Sequence, residues 1–108
     1  MPEYATSEHH DLASLASAFV RSPRYRDFTL RQLALISVLA DEPGPHTVRG
    51  LAARLQFSKP VVSRAINTLI GIAERTPDPR DRRNVFITLT PEGTRIRLDI
   101  LTLEAANG

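Results

Sequence analysis

Two apolar stripes of helical period lie almost end to end in the middle of this chain. Val48, Leu51, Ala52 and Leu55 fall at i, i+3, i+4 and i+7, and Val62, Ala65, Ile66 and Leu69 repeat the spacing. Each stripe makes one buried face of a short helix. Thr47 and Ser58 stand where N-caps belong, and Pro60 is tolerated in a first turn. Gln56 and Phe57 are left to make a tight turn. Two helices of about three turns joined this closely form a helix-turn-helix, which the spacing bounds at residues 47–70.

The flanking segments supply the rest of a small domain. Thr29 with Gln32 three residues on is a capping-box pattern. The helix it opens carries Leu30, Leu33, Ala34, Leu35, Ile36, Val38 and Leu39 on more than one face, so it should be central. Pro43, Gly44 and Pro45 stop it. Upstream, Asp11 can cap a first helix whose stripe is Leu12, Leu15, Ala16 and Phe19, ended by Pro23. Gly71 sits where a C-cap glycine belongs, and the period then changes. Residues 72–76 and 85–89 read as strands of a hairpin around a charged, proline-punctuated turn at 77–83. Thr90 caps a last helix with Pro91 at its favoured first position. Ile96, Ile100 and Leu103 form one stripe of that helix, widened by Leu98 and Leu101.

The expected fold is therefore mainly α with a small β-hairpin wing, a winged helix-turn-helix. Residues 1–10 are expected to form a flexible tail and 11–108 a single domain, with the wing at 72–89 and the C-terminal helix at 91–105. A length of 108 residues suits one domain with a real core.

Composition narrows the function. Cysteine is absent, so disulfides, thiolate metal sites and cysteine nucleophiles are excluded, and a reducing cytoplasm is compatible. There is no apolar run long enough for a bilayer, and no basic stretch followed by an apolar one at the start, so a secretory signal is not expected. His9, His10 and His46 are not spaced as ligands or bases, and the terminal His pair alone implies no metal. There is no glycine-rich phosphate loop, nucleophile elbow or metal-binding helix pattern, so neither an enzyme nor a cofactor is expected. Net charge is only +2, but 14 residues are Lys or Arg and Lys59 is the sole lysine. A GC-rich coding sequence also favours arginine, so placement is more informative than number.

That placement points to nucleic acid. With its stripe turned inward, the second helix of the pair leaves Lys59, Pro60, Val61, Ser63, Arg64, Asn67 and Thr68 outside, with no acidic residue among them. Arg suits guanine, Asn suits adenine, Ser suits either, and Val61 can touch a thymine methyl. An ordinary solvated helix face usually mixes in Glu or Asp. Arg80, Arg82 and Arg83 at the hairpin tip suit a minor groove, with Asp78 and Asp81 fixing their geometry. Alone, such a turn is a surface feature with weak ion pairs. After a helix-turn-helix it carries more weight.

The stretch DRRNVFITLTPEG resembles the signature of the MarR family of winged-helix regulators: Asp-x-Arg, five residues, Leu-Thr, two residues, Gly. Asp81, Arg83, Leu89, Thr90 and Gly93 fall on it. The upstream TVRGLAARLQFSKPVVSRAINTL is similar to the family's helix-turn-helix, and the likeness runs from about Thr29 to about Arg97. It implies a bacterial DNA-binding transcriptional regulator, expected to be a repressor. Ser63, Arg64 and Asn67 would then enter the major groove, with Ser58, Lys59 and Pro60 near the backbone and Val61 on the same helix. Arg83 would reach a minor groove from the wing, positioned by Asp81, with Arg82 and Arg80 beside it. Thr47 would meet a phosphate at its helix start.

In the family, the chain continues through a long helix and then another, which interlock with the N-terminal helix to make a dimer. The chain is short relative to that pattern at its C-terminus and at the junction between helix and wing, so the expectation is a self-contained monomer or, preferred, a reduced homodimer. Its interface would be built from Leu12, Leu15, Phe19, Ile96, Ile100, Leu101 and Leu103. Double-stranded DNA is the expected partner, the bacterial nucleoid the expected location, and an effector molecule only a weak expectation. The rival reading is a winged-helix adaptor that binds protein without specific DNA recognition.

Overall fold

A computed structural model describes residues 11–23 and 26–107, with side chains described as far as residue 105. The expected tail and its His pair lie outside the described residues. Among those described, the order is α1 (Leu12–Val20), α2 (Leu30–Asp41), α3 (Val48–Leu55), α4 (Lys59–Thr68), β1 (Ala73–Pro77), β2 (Val85–Leu89) and α5 (Pro91–Asn107). The chain divides into two compact units. The larger comprises Phe28–Arg95. The other takes in α1 and the part of α5 from Ile96 onward.

Each helix start in the larger unit is fixed by the residue expected from sequence. Thr29 accepts from the Gln32 amide at 3.1 Å while Gln32 Oε1 accepts from the Thr29 amide at 2.7 Å, closing the capping box. Thr47 Oγ1 accepts from Gly50 N at 3.0 Å, and Ser58 Oγ accepts from Val61 N at 3.3 Å. The turn between α3 and α4 is made by Gln56, whose φ of 60° puts it in the left-handed region at the C-cap of α3. This residue reverses the chain without glycine.

The core of this unit is built as the periodicity requires. Leu35, Ile36 and Val38 of α2, Leu51 and Ala52 of α3, and Val62 and Ile66 of α4 are buried. Leu69, Ile72, Ala73 and Ile87 complete it. Each large side chain fully withdrawn from water contributes on the order of 1.5–3 kcal/mol. α2 packs against α3, α4 and β2, which accounts for its apolar residues on several faces.

The hairpin is antiparallel, pairing Ala73 with Leu89 and Pro77 with Val85. β2 falls where expected. β1 is displaced by one residue from the expected 72–76, because Ile72 serves the turn after α4 instead. Its carbonyl accepts from Thr90 N at 2.9 Å. Pro77, expected in the turn, is instead the last residue of β1. α4 likewise ends before Gly71: Leu69 is its C-cap, and Gly71 follows at φ 75° within the turn.

The end of the wing is bound to that same turn. Thr90 Oγ1 donates toward Gly71 O at 2.6 Å and Ile72 O at 3.1 Å, and accepts from Gly93 N at 3.1 Å. One side chain thus caps α5 and ties it to the base of β1. Gly93 is required by the closeness of this joint. A Cβ there would collide with the Ile72 carbonyl and lie 2.9 Å from Leu89 Cδ2.

In the smaller unit, Asp11 caps α1 by accepting from Ser14 N at 2.8 Å. Phe19 and Ile96 are buried, whereas Leu12, Val20, Leu98 and Leu101 are exposed.

Replacing Gly93 with Ala should cost about 1–3 kcal/mol, as overpacking against a fixed backbone does. The midpoint of denaturant unfolding, at unchanged slope, checks this.

Candidate nucleic-acid interface

The expected DNA-facing residues all lie in the larger unit. On α4, Lys59, Pro60, Arg64, Asn67 and Thr68 are exposed, while Val61 and Ser63 are half-buried. Ser58 at the cap is exposed, and Thr47 at the start of α3 is half-buried. The oxygen of each cap is used by its own helix, so what these hydroxyls have left to offer a phosphate is a proton. No acidic side chain lies on α4.

The loop between the strands has a defined internal structure. Asp78 is buried, with 9% of its surface exposed. Its Oδ1 accepts from Arg80 N at 2.8 Å and its Oδ2 faces Asn84 Nδ2 at 3.5 Å. Backbone bonds from Asp78 N to Asn84 O, Asp81 N to Asp78 O and Asn84 N to Asp81 O close the loop on itself. The two carboxylates therefore have separate tasks: Asp78 shapes the backbone, and Asp81 holds a side chain.

Asp81 grips Arg83 from two sides. Its Oδ1 accepts from Arg83 Nε at 3.0 Å and from the Arg83 backbone amide at 3.1 Å, while Oδ2 accepts from Nη2 at 3.0 Å. This fork-to-carboxylate geometry fixes the guanidinium plane. Arg83 nevertheless keeps 89% of its side-chain surface exposed. Arg80 and Arg82 are exposed as well. The bonds from Arg83 hold the Asp81 carboxyl below its ordinary range, first through the side chain and then through the backbone amide. The same pairing raises Arg83.

Two residues that the sequence reading missed complete the surface. Arg75 of β1 lies across α4: its Nη1 donates to Asn67 Oδ1 at 2.6 Å, and its Nη2 to Ser63 Oγ at 3.0 Å and Ser63 O at 3.3 Å. Ser63 and Asn67 are therefore not free to face outward independently. Beside α4 runs a groove of about 230 Å³ lined by Thr29, Arg31, Gln32, Val61, Arg64, Ala65 and Thr68. Arg31 also stands over the Phe57 ring, 5.6 Å from its centre. Gln32 ties α2 to α4 through Thr68 Oγ1 at 2.7 Å. By strand alternation Arg75 shares the face of Ala73 and of its cross-strand partner Ile87, both buried, but its reach back to α4 depends on how the hairpin is attached.

The expected dimer residues divide by exposure. Phe19 and Ile96 are buried within the single chain, Leu15, Ile100 and Leu103 are half-buried, and Leu12 and Leu101 are exposed. Among the described residues, no helix is long and apolar enough to cross a membrane.

The family model described as MarR family matches residues 26–84, more than half of the chain. The chain belongs to the MarR family. It is 31% identical over 98 residues to the uncharacterised HTH-type transcriptional regulator YvnA of Bacillus subtilis strain 168, covering 84% of this chain and 52% of that protein. A second relative, an uncharacterised HTH-type transcriptional regulator of Mycobacterium leprae strain TN, is 30% identical over 92 residues, covering 80% of this chain and 64% of its own length. The chain thus spans about half to two-thirds of these relatives. Among solved structures, Streptococcus pneumoniae FabT in complex with DNA superposes with a TM-score of 0.74 at 27% identity, covering 96% of this chain and 74% of that one. The winged-helix fold expected from sequence is present, and this neighbour shares it over nearly the whole chain.

Because the folded-state pKa of Asp81 is depressed, its ion pair contributes above the unfolded value and is lost as pH falls through the folded one. The Asp81 carboxyl carbon, followed by NMR, should titrate below the ordinary aspartate range. In an Arg83→Ala variant it should rise toward that range, the part owed to the residue-83 backbone amide remaining.

Proposed function

We propose that this MarR-family chain is a sequence-specific, double-stranded DNA-binding transcriptional regulator. It acts as a repressor by occupying a promoter on the bacterial nucleoid. α4 reads the major groove, with Arg64 as its direct base contact and Ser63 and Asn67 alongside. Ser58, Lys59, Pro60 and Thr47 approach the backbone, and Val61 a thymine methyl. The wing at 77–83 enters a minor groove with Arg83, flanked by Arg80 and Arg82.

The observations that carry this reading are the absence of any acidic side chain on α4 and, on the wing, an exposed, pre-oriented Arg83. Phosphate contacts of this kind supply affinity, while side chains on a groove-borne helix supply selectivity. The clamp by Asp81 reduces the ordering that Arg83 undergoes on binding. The DNA complex of FabT supports the same reading by likeness.

The protein works as a homodimer through its first and last helices, which carry the exposed Leu12 and Leu101. One module contacts a short stretch of duplex, and a two-fold pair reading a near-palindrome binds far more selectively.

Binding to fragments of the source genome across a salt series tests the proposal. The native chain should bind selectively, with affinity falling steeply as salt rises. Arg83→Ala should flatten the salt slope by about one unit, and Arg64→Ala should cost about 1–3 kcal/mol and relax base preference. Absence of selective binding at low salt overturns the proposal.

A further inference from the structure

We propose that Arg75 is a specificity-determining positioning residue: from the first wing strand it fixes Ser63 and Asn67 as hydrogen-bond donors. α4 then selects keto-bearing bases, guanine or thymine, opposite Asn67. This rests on the regulator reading and deepens it.

The argument is one of donor and acceptor accounting. A guanidinium has only N–H donors. The Asn67 atom that meets Arg75 Nη1 at 2.6 Å must therefore be the amide oxygen, since the flipped amide would set N–H against N–H. The Nδ2 group, with two donors, is turned away from Arg75. Ser63 meets the same constraint. Its Oγ accepts from Nη2 at 3.0 Å, and its backbone carbonyl accepts from the same nitrogen at 3.3 Å. Its hydroxyl keeps its proton and a second lone pair, and the cation beside that lone pair disfavours another approaching donor.

An Asn that reads adenine must accept from the N6 amino group while donating to N7. Here the oxygen for that role already lies against a cation, which disfavours another approaching donor. Guanine N7 and O6 and thymine O4 are acceptors and suit the amide nitrogen. Arg64 nearby on α4 is donor-only as well. The face thus carries one polarity, imposed on Ser63 and Asn67 from another element of the fold. The adenine preference that an isolated Asn suggests is inverted by its neighbour.

Selection from a random duplex library at low salt tests this, with the native chain, Asn67→Ala, Arg75→Ala and Arg75→Lys run in parallel. Asn67→Ala identifies the base position that Asn67 reads, as the one whose preference it removes. At that position the native chain should favour guanine or thymine over adenine by about tenfold. Arg75→Ala should bring adenine to near parity there while leaving positions read by neither Asn67 nor Ser63 unchanged. Arg75→Lys, which keeps the charge but not the fork, should fall between them. Thermal melts of all variants separate loss of fold from loss of selectivity, and the lysine variant carries the comparison where the alanine variant melts early. A purely structural role would lower affinity at every position alike. Adenine preference in the native chain, or a preference unchanged by both Arg75 variants, overturns the inference while the regulator reading stands. Absence of any selected site with the native chain overturns both.

Discussion

The attachment of the wing is the constraint on which the binding surface depends. β2 is held along both edges: β1 pairs with one, and on the other the Ile87 amide donates to His46 O at 2.8 Å. Ile87 itself is fully buried. Thr90 then ties the end of β2 to Gly71 and Ile72. A two-stranded hairpin alone is marginal in water. This one is fastened at its base to the entrance of α3 and the exit of α4, so its direction is set by the helix-turn-helix. Arg75 reaches Ser63 and Asn67 only because that base is fixed. The signature residues Leu89, Thr90 and Gly93 therefore serve binding indirectly, by determining where the strand emerges.

Local electrostatics follow a similar economy. Acidic groups in the loop would oppose a polyanion if they were exposed and unpaired. Asp78 is instead buried and bonded to backbone and Asn84, and Asp81 is engaged by Arg83. Arg83 spends part of its five-donor fork on Asp81 and keeps the remaining N–H groups for solvent or a ligand. Such a pair adds little to stability at an exposed site. Its effect is geometric, since a guanidinium held in one plane loses less freedom when it docks.

Much of this was legible in the sequence, and the reasons differ by element. Caps at Asp11, Thr29, Thr47 and Ser58 are local chemistry between residues three apart, so they could be read without knowing the fold. The stripes of α3 and α4 are likewise local, and the buried side chains Leu51, Ala52, Val62 and Ile66 follow from them. The start of β1 was misplaced by one residue because Ile72 is apolar for a tertiary reason, burial beneath the turn, rather than for strand pairing. The turn at Gln56 adopts a positive φ that no glycine announced.

What escaped the sequence was non-local polarity. Asn67 and Ser63 were read as independent groups on a helix face, and nothing within a few residues of either says otherwise. Arg75 lies eight residues beyond Asn67 and twelve beyond Ser63, on a strand whose angle to α4 is a property of the whole unit. A side chain's hydrogen-bonding repertoire is fixed by its type, but the part left over for a ligand is fixed by its neighbours. In a recognition surface that remainder is the chemically meaningful quantity. On the proposed reading, α4 is left chiefly with donors, so the strand behind the helix, as much as the helix itself, would determine which base edges fit.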